Sequence, residues 1–202
     1  MAATMSATQL PQTLPYQPLR MSVEKYHQLV RAGAFSEHDA VELLDGVVTE
    51  KISKNPSHRI ATRQLDLALS QVVPPGWHVQ NQEPITLETS EPEPDVAIIR
   101  GQLTDYVDRH PQAPEVAMVI EVADTTLVTD RYKAELYGRA GIPVFWLVNL
   151  GADCIEVRYS LHETARGIRT YSQQAIYTRA STIPIFIASK CVAELQVQDL
   201  LP

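Results

Sequence analysis

The sequence predicts a mixed α/β fold, and residues 117–150 carry most of that prediction. Residues 116–122 form a nearly unbroken apolar run, as expected of a strand that is buried on both faces. Residues 144–150 form a second such run. The intervening segment has helical spacing and ends at Gly141, and it places four side chains on one side: Tyr132, Leu136, Tyr137 and Ala140. Two strands joined through a helix of this length are most simply parallel neighbours in one sheet.

Length and composition predict one globular domain over residues 19–202, preceded by a mobile arm over residues 1–18. The chain has 202 residues, of which 45% are hydrophobic, and this is enough for a sizeable core. The arm is rich in Ala, Thr, Gln and Pro and has no periodic pattern. No apolar run approaches the length of a membrane span, so we expect a cytoplasmic protein. The formal charge of -7 means that any nucleic-acid role requires a local basic patch.

Turn and cap residues place the other elements. Ser22 is the expected N-cap of a short amphipathic helix, and Asp45-Gly46 is the expected turn of a β-hairpin over residues 40–50. Ser57 is the expected N-cap of a helix over residues 58–72, which Pro74 ends. Further strands are expected at 77–80, 84–87, 95–99, 154–159, 171–177 and 183–187, with a polar loop over 101–114.

Two carboxylates occupy costly positions in this scheme. Asp95 opens one apolar strand, and Glu121 closes another after the uncharged run 116–120. A buried carboxylate requires a positive partner, which can be a divalent cation or a basic residue such as Lys133 in the following helix. Spacing alone does not separate this interpretation from a helix cap or a surface ion pair, because strand-terminal acids commonly have those roles.

Several motifs occur in an order that resembles the large bacterial family of putative restriction endonucleases, a branch of the PD-(D/E)XK nuclease superfamily. The resemblance covers residues 19–202. The matching segments are Glu42-Leu-Leu-Asp-Gly46, the His58 helix, Pro92-Glu-Pro-Asp95, Val119-Ile-Glu-Val122, Asp130-Arg131, Lys133, Tyr137, Ala140-Gly-Ile-Pro143 and Trp146-Leu-Val-Asn-Leu150. The resemblance implies a restriction-endonuclease-like core, in which helices flank a central mixed sheet that has a metal site at its edge.

The resemblance also implies a catalytic set. Pro94-Asp95 matches the PD of the superfamily motif and Glu121 matches its second acid, but Ala123 stands where the motif has a lysine. Lys133 on the next helix matches the displaced lysine of this family, and Glu42 resembles an additional acid. Asp95, Glu121 and the carbonyl of Val122 would then hold Mg²⁺, for which Mn²⁺ would substitute. Glu42 would bind a second ion or a metal-bound water.

Four further residues are candidates for nucleic-acid contact, and each has a simpler alternative. Lys51 and Lys54 form the best local basic cluster, although such a loop is commonly only solubilising. His58 near a helix start is commonly a cap or surface group. Arg131 has an exposed ion pair with Asp130 or Glu135 as its alternative role. The aromatic residues Tyr132, Tyr137 and Trp146 are expected in the core rather than stacked on bases.

These observations favour a Mg²⁺-dependent DNA endonuclease that acts as a homodimer, since cutting two strands with one site per chain takes two chains. RNA is not excluded as the substrate. The alternative from another class is a catalytically inactive module that binds nucleic acid or protein and keeps the nuclease fold. A third alternative is that the acids merely stabilise the fold by pairing with Lys133 and Arg131. Replacing Lys133 by Met is the expected discriminating experiment.

Overall fold

The computed structural model describes residues 18–36, 39–51 and 55–202, and its centre is a mixed sheet of six strands. Most of the predicted arm, residues 1–17, lies outside this described part, and so does Lys54. The division into an arm and a single domain stays a prediction. Within the described ranges, no helix is both long and apolar enough to cross a membrane.

The central sheet follows the order β3-β4-β5-β6-β7-β8. Its strands are β3 (Trp77–Gln80), β4 (Val96–Arg100), β5 (Val116–Ala123), β6 (Phe145–Asn149), β7 (Cys154–Glu163) and β8 (Arg169–Thr178). Strands β5 and β6 are parallel and the other neighbouring pairs are antiparallel. Helix α3 (Leu127–Ala140) connects β5 to β6 and ends at Gly141, which adopts the left-handed conformation with φ 88°. The predicted mixed α/β fold is therefore confirmed, together with its parallel crossover.

Side chains that alternate along β4 and β5 divide the interior into two cores. Val96, Ile98 and Ile120 face helix α2 (Pro56–Val72) and a second hairpin, which is made of β9 (Thr182–Ile187) and β10 (Lys190–Gln196). The neighbouring positions Ala97, Ile99, Val119 and Ala123 face α3 instead. Both faces of the sheet are thus covered, which explains the nearly continuous apolar runs in the sequence.

The N-terminal hairpin is a separate two-stranded sheet attached to the edge of this framework. It consists of β1 (Val41–Leu44) and β2 (Val47–Glu50), and helix α1 (Val23–Arg31) packs against it through a small core that includes Tyr26 and Leu43. Two backbone hydrogen bonds join Leu43 and Glu91, and a third joins the Gly46 N–H to the Thr89 carbonyl at 2.7 Å. The hairpin is therefore held against the segment that leads into β4.

Three local predictions are wrong. The N-cap of α2 is Asn55 rather than Ser57, because the Asn55 side chain accepts the His58 N–H and Pro56 occupies the first turn, where its missing N–H costs nothing. Residues 84–87 do not form a strand and have only an isolated bridge at Thr86. Tyr132 is 43% exposed rather than in the core, because its hydroxyl reaches outward to Asp45.

Candidate active site

Four charged residues from four different elements line one cavity of about 100 Å³. The hairpin, the residue before β4, strand β5 and helix α3 each contribute one of them: Glu42, Asp95, Glu121 and Lys133. All four side chains are buried. The long segments that separate these residues in sequence are brought together by the crossover and by the attachment of the hairpin. The sequence-predicted set therefore meets at one place in the fold.

Lys133 connects two of the acids. Its ammonium nitrogen Nζ lies 2.9 Å from Glu42 Oε1 and 3.4 Å from Glu121 Oε1. Burial would lower the pKa of Lys133, but the charges of Glu121 and Glu42 outweigh burial and hold this pKa above its ordinary value. Lys133 is consequently a cation at neutral pH, and it can stabilise negative charge but cannot accept a proton.

Lys133 reaches the face of the sheet on which Ala123 occupies the position expected for a lysine. Glu121 and Ala123 lie two residues apart on β5, so their side chains point to the same face of the sheet. Ala123 is 1% exposed and packs in the core beneath α3. Lys133, on the packed side of α3, brings its ammonium group to that same face from above.

Two of the described residues hold Asp95 in place. Its Oδ2 accepts a hydrogen bond of 2.9 Å from the Val122 N–H and lies 3.0 Å from His58 Nε2. His58 is buried in the first turn of α2, where the Asn55 cap receives its backbone N–H. The cap of α2 thus sets the position of a side chain that contacts Asp95, which makes His58 part of this cluster rather than a surface group.

Two residues that were not singled out for a role in the site also contact or line it. Tyr137, which is fully buried, donates a hydrogen bond of 2.7 Å from its hydroxyl to Glu121 Oε1. Burial and the neighbouring Glu121 raise the pKa of Tyr137, so the hydroxyl keeps its proton and remains a donor. Asp130 lines the cavity, and its carboxylate accepts from the Thr126 hydroxyl. The helical spacing from Lys133 to Tyr137 was a usable signal, because residues four apart lie on one face of a helix.

Negative charge exceeds positive charge in this cavity. Of the described residues that line it, seven are carboxylates and two are lysines. Burial raises the pKa of Glu121, with Lys133 opposing and Asp95 adding to the rise. Burial likewise raises the pKa of Asp130 to about 6, although the Thr126 hydroxyl and Lys133 oppose it. The cavity therefore favours either protonation or an added cation.

Glu121 has a carboxylate oxygen that is available to a metal ion. Both contacts of Glu121 described above use Oε1, and among the described residues no donor reaches Oε2. Within those residues no three His, Cys, Asp or Glu side chains already form a metal cluster. Mg²⁺ commonly binds through one or two carboxylates and keeps several waters, so Asp95, Glu121 and the Val122 carbonyl are oxygen ligands of the kind that it would take.

The structure separates the four candidates for nucleic-acid contact. Lys51 and His58 line the cavity, and the Lys51 ammonium group pairs with Glu93. Arg131 does not line the cavity, and its guanidinium group binds Glu156 at 2.7 Å rather than Asp130 or Glu135. Lys54 lies outside the described residues. Tyr137 and Trp146 are both core residues, at 0% and 1% exposure.

The comparisons with known proteins define the class of this chain. The family model for Uma2, described as "Putative restriction endonuclease", matches residues 23–185. The chain belongs to this family. Among solved structures, it is similar to a putative nuclease of the DUF820 group from Anabaena variabilis ATCC 29413, with a TM-score of 0.64 and 13% sequence identity over 89% of this chain and 97% of that one. That similarity supports the nuclease-type fold. No curated protein matches the sequence.

Proposed function

We propose that the chain is a metal-dependent endonuclease that hydrolyses phosphodiester bonds in DNA. The observation that carries the proposal is the convergence of Glu42, Asp95, Glu121 and Lys133 on one acidic cavity. Membership of a family of putative restriction endonucleases supports DNA as the substrate. We further propose that the protein acts as a homodimer, because one site per chain cuts one strand at a time. We place this activity in the cytoplasm.

Asp95, Glu121 and the Val122 carbonyl would hold Mg²⁺ in the proposed reaction, and Mn²⁺ would substitute for it. The ion would supply positive charge at the scissile phosphate and acidify a water molecule. The protein's own groups set the geometry. Val122 N–H and His58 orient Asp95, and Tyr137 orients Glu121. A 10- to 100-fold loss of metal affinity is typical when such supporting groups are removed.

Lys133 would contribute electrostatically. Its ammonium group lies beside Glu121 and is also held by Glu42. Glu42 is itself oriented by the Glu93 N–H, which lies 3.2 Å from its Oε2. Because this cation is buried, it acts in a medium where a fixed charge stabilises a transition-state charge more strongly than in water. Lys133 would therefore stabilise negative charge that develops on the phosphate.

The first test is a calorimetric titration of Mn²⁺ into the protein beside the Asp95→Asn variant, since this requires no choice of substrate. The amide oxygen of Asn can still accept the Val122 N–H, so the variant removes charge with little change of shape. Saturable binding by the wild type that is lost in the variant supports the metal site. Cleavage assays on plasmid DNA, single-stranded DNA and RNA then identify the substrate.

A second candidate function is a catalytically inactive module that binds nucleic acid or protein. One observation favours it: Ala123 stands on β5 where the superfamily motif has a lysine. If neither the wild type nor Asp95→Asn binds Mn²⁺, with or without DNA, this module is favoured over the nuclease.

A further inference from the structure

Within residues 18–36, 39–51 and 55–202, the two lysines that line the acidic cavity are already paired with the protein's own carboxylates. Lys51 pairs with Glu93, and Lys133 pairs with Glu42 and Glu121. A DNA phosphate approaching this cavity therefore meets more negative than positive charge. Positive charge for the rest of the nucleic acid has to come from a neighbouring surface.

Arg59 is an available cation next to the site. It follows His58 in α2, its residue is exposed, and among the described residues no carboxylate lies within 4.0 Å of it. Arg63 lies one helical turn further on and has a side chain that is 67% exposed. It pairs with Asp66 at 2.5 Å. An exposed pair three residues apart on a helix is weak, so a phosphate can replace Asp66 as the partner of Arg63.

Arg59 and Arg63 line a cavity of about 350 Å³, together with Thr62, Asp66, Asn81 and Gln82. Asn81 Oδ1 is buried and has no hydrogen-bond partner among the described residues. Gln82 is exposed, and its backbone has the uncommon positive φ of 54°. Two arginines beside the exposed amide of Gln82 form a suitable surface for a polar, negatively charged ligand, whereas the buried Asn81 oxygen is an acceptor and offers a phosphate no hydrogen bond.

Two hydrogen bonds join this cavity to the acidic one. The Thr62 hydroxyl donates to the His58 carbonyl at 2.9 Å, and His58 Nε2 contacts Asp95. The Gln82 N–H donates to the carbonyl of Pro94 at 3.1 Å, and Pro94 directly precedes Asp95. The two cavities are therefore connected through the Asp95 backbone and the first turns of α2.

We propose that the surface formed by Arg59, Arg63, Asn81 and Gln82 is where duplex DNA binds while one of its phosphates occupies the acidic cavity. Arg59 and Arg63 contact phosphates that flank the scissile one, and the exposed amide of Gln82 forms hydrogen bonds with base edges or sugars. Asp66 keeps Arg63 neutralised until a phosphate replaces it. This inference rests on the proposed nuclease function and names the substrate-binding surface of that site.

The test is a binding titration of the intact protein by fluorescence anisotropy, with a labelled duplex of two to three helical turns, in Ca²⁺ and over a series of salt concentrations. The variants are Arg59→Ala and Arg63→Ala, and the control is Arg166→Ala, an equally exposed arginine in the β7–β8 connection. Arg59→Ala and Arg63→Ala should each weaken binding about 5-fold or more. Each should also reduce the magnitude of the slope of log K against log salt by about 0.9, the value for one phosphate contact. Arg166→Ala should change neither quantity. Gln82→Gly, which suits the positive φ, should weaken binding at an unchanged slope.

The outcomes separate this inference from the proposed function. If the wild type binds the duplex and both cavity variants behave like Arg166→Ala, the surface is wrong while the nuclease proposal stands. Tighter binding of single-stranded DNA or RNA than of duplex, with no effect of Arg59→Ala, also overturns the surface. If Arg59→Ala lowers the salt slope but the wild type neither binds Mn²⁺ nor cleaves, the surface is supported and the nuclease proposal fails.

Discussion

The ammonium group of Lys133 has both a structural and a proposed chemical role, since it neutralises two buried carboxylates and lies at the proposed reaction centre. The third alternative raised by the sequence is a purely structural cluster. A loss of stability on replacing Lys133 does not distinguish this cluster from a catalytic site, because both predict such a loss. A measurement with and without metal can separate them, because an ion can replace the charge of a lysine but not its position.

Lys133→Met should lower the free energy of unfolding by about 3 to 5 kcal/mol in metal-free protein, because Glu42 and Glu121 lose a shared buried partner. Saturating Mn²⁺ should restore much of this loss, whereas cleavage should stay at least about 100-fold below wild type. Urea unfolding with and without Mn²⁺ and a plasmid cleavage assay check this. Recovery of cleavage together with stability would show that Lys133 is only structural.

Tyr137→Phe removes one hydroxyl from the interior and leaves the ring stacked on Phe145. Glu121 then loses a hydrogen bond of 2.7 Å, so we expect a loss of about 1.5 to 3 kcal/mol of stability and about 10-fold weaker Mn²⁺ binding. Tyr171→Phe is the matched control, because the Tyr171 hydroxyl donates to the Ile142 carbonyl, away from the cavity. Equal loss of Mn²⁺ affinity in both variants would contradict a specific role for Tyr137.

The β1–β2 hairpin carries Glu42, and Asp45 at its turn ties it to α3. The Asp45 carboxylate accepts hydrogen bonds from Tyr132 and Arg139 of α3 and from Thr89. Burial alone would raise the pKa of Asp45, but the hydrogen bonds from Tyr132 and Arg139 outweigh it, and the pKa lies below its ordinary value of 3.8. The hairpin is therefore attached to α3 both at its turn and through the Glu42–Lys133 pair.

Asp45→Asn should destabilise the protein at neutral pH and much less in acid. A carboxyl whose pKa is lower in the folded state contributes stability above its unfolded pKa and loses that contribution as the pH falls through its folded pKa. The difference in free energy of unfolding between wild type and variant should thus be constant above about pH 5 and shrink below pH 3.8. Urea unfolding across this range checks it, and a difference that grows in acid would contradict the assignment.

Gly46→Ala tests the same turn from the backbone side. Gly46 has φ 76°, and a Cβ added to it would lie 2.9 Å from the Met21 carbonyl oxygen. Gly33 has a similar φ of 70° but nothing within 4 Å of an added Cβ. Gly33→Ala should therefore cost only the conformational term of about 1 to 2 kcal/mol, and Gly46→Ala should cost clearly more. Equal values in denaturant unfolding would show that the contact with Met21 is unimportant.

Elements were predictable where their signals are local and strong. The hairpin at Asp45-Gly46, the Ser22 cap and the buried strands before and after α3 are confirmed, because turn chemistry and long apolar runs act over a few residues. The Asn55 cap was missed because both Asn55 and Ser57 are suitable N-cap residues beside Pro56. Only the residue at which the helix begins decides between them. The partner of Arg131 was missed because Glu156 comes from a distant strand.

For the whole molecule, the proposed metal site predicts a link between metal binding and stability. An ion that binds only the folded state adds about 2.7 kcal/mol at 100 times its dissociation constant, which for a chain of this length corresponds to a rise in Tm of about 5 to 10 °C. Mn²⁺ should therefore raise the Tm of the wild type and of Asp108→Asn, an exposed control, but not that of Asp95→Asn. Differential scanning fluorimetry checks this, and an equal rise in all three would point to binding elsewhere.

The placement of Lys133 on a helix has a consequence for how chains of this kind can be recognised. Strand β5 has one charged residue, Glu121, and the residue two positions later, Ala123, packs in the hydrophobic core. A pattern search for an acid and a lysine on one strand passes over a chain built in this way. A search for a buried acid on a strand and a lysine on the packed face of the next helix would find it. The unit to be compared between distant relatives is thus the shared face of the sheet, where Glu121 and Ala123 lie on β5 and the ammonium group of Lys133 reaches Glu121 from α3.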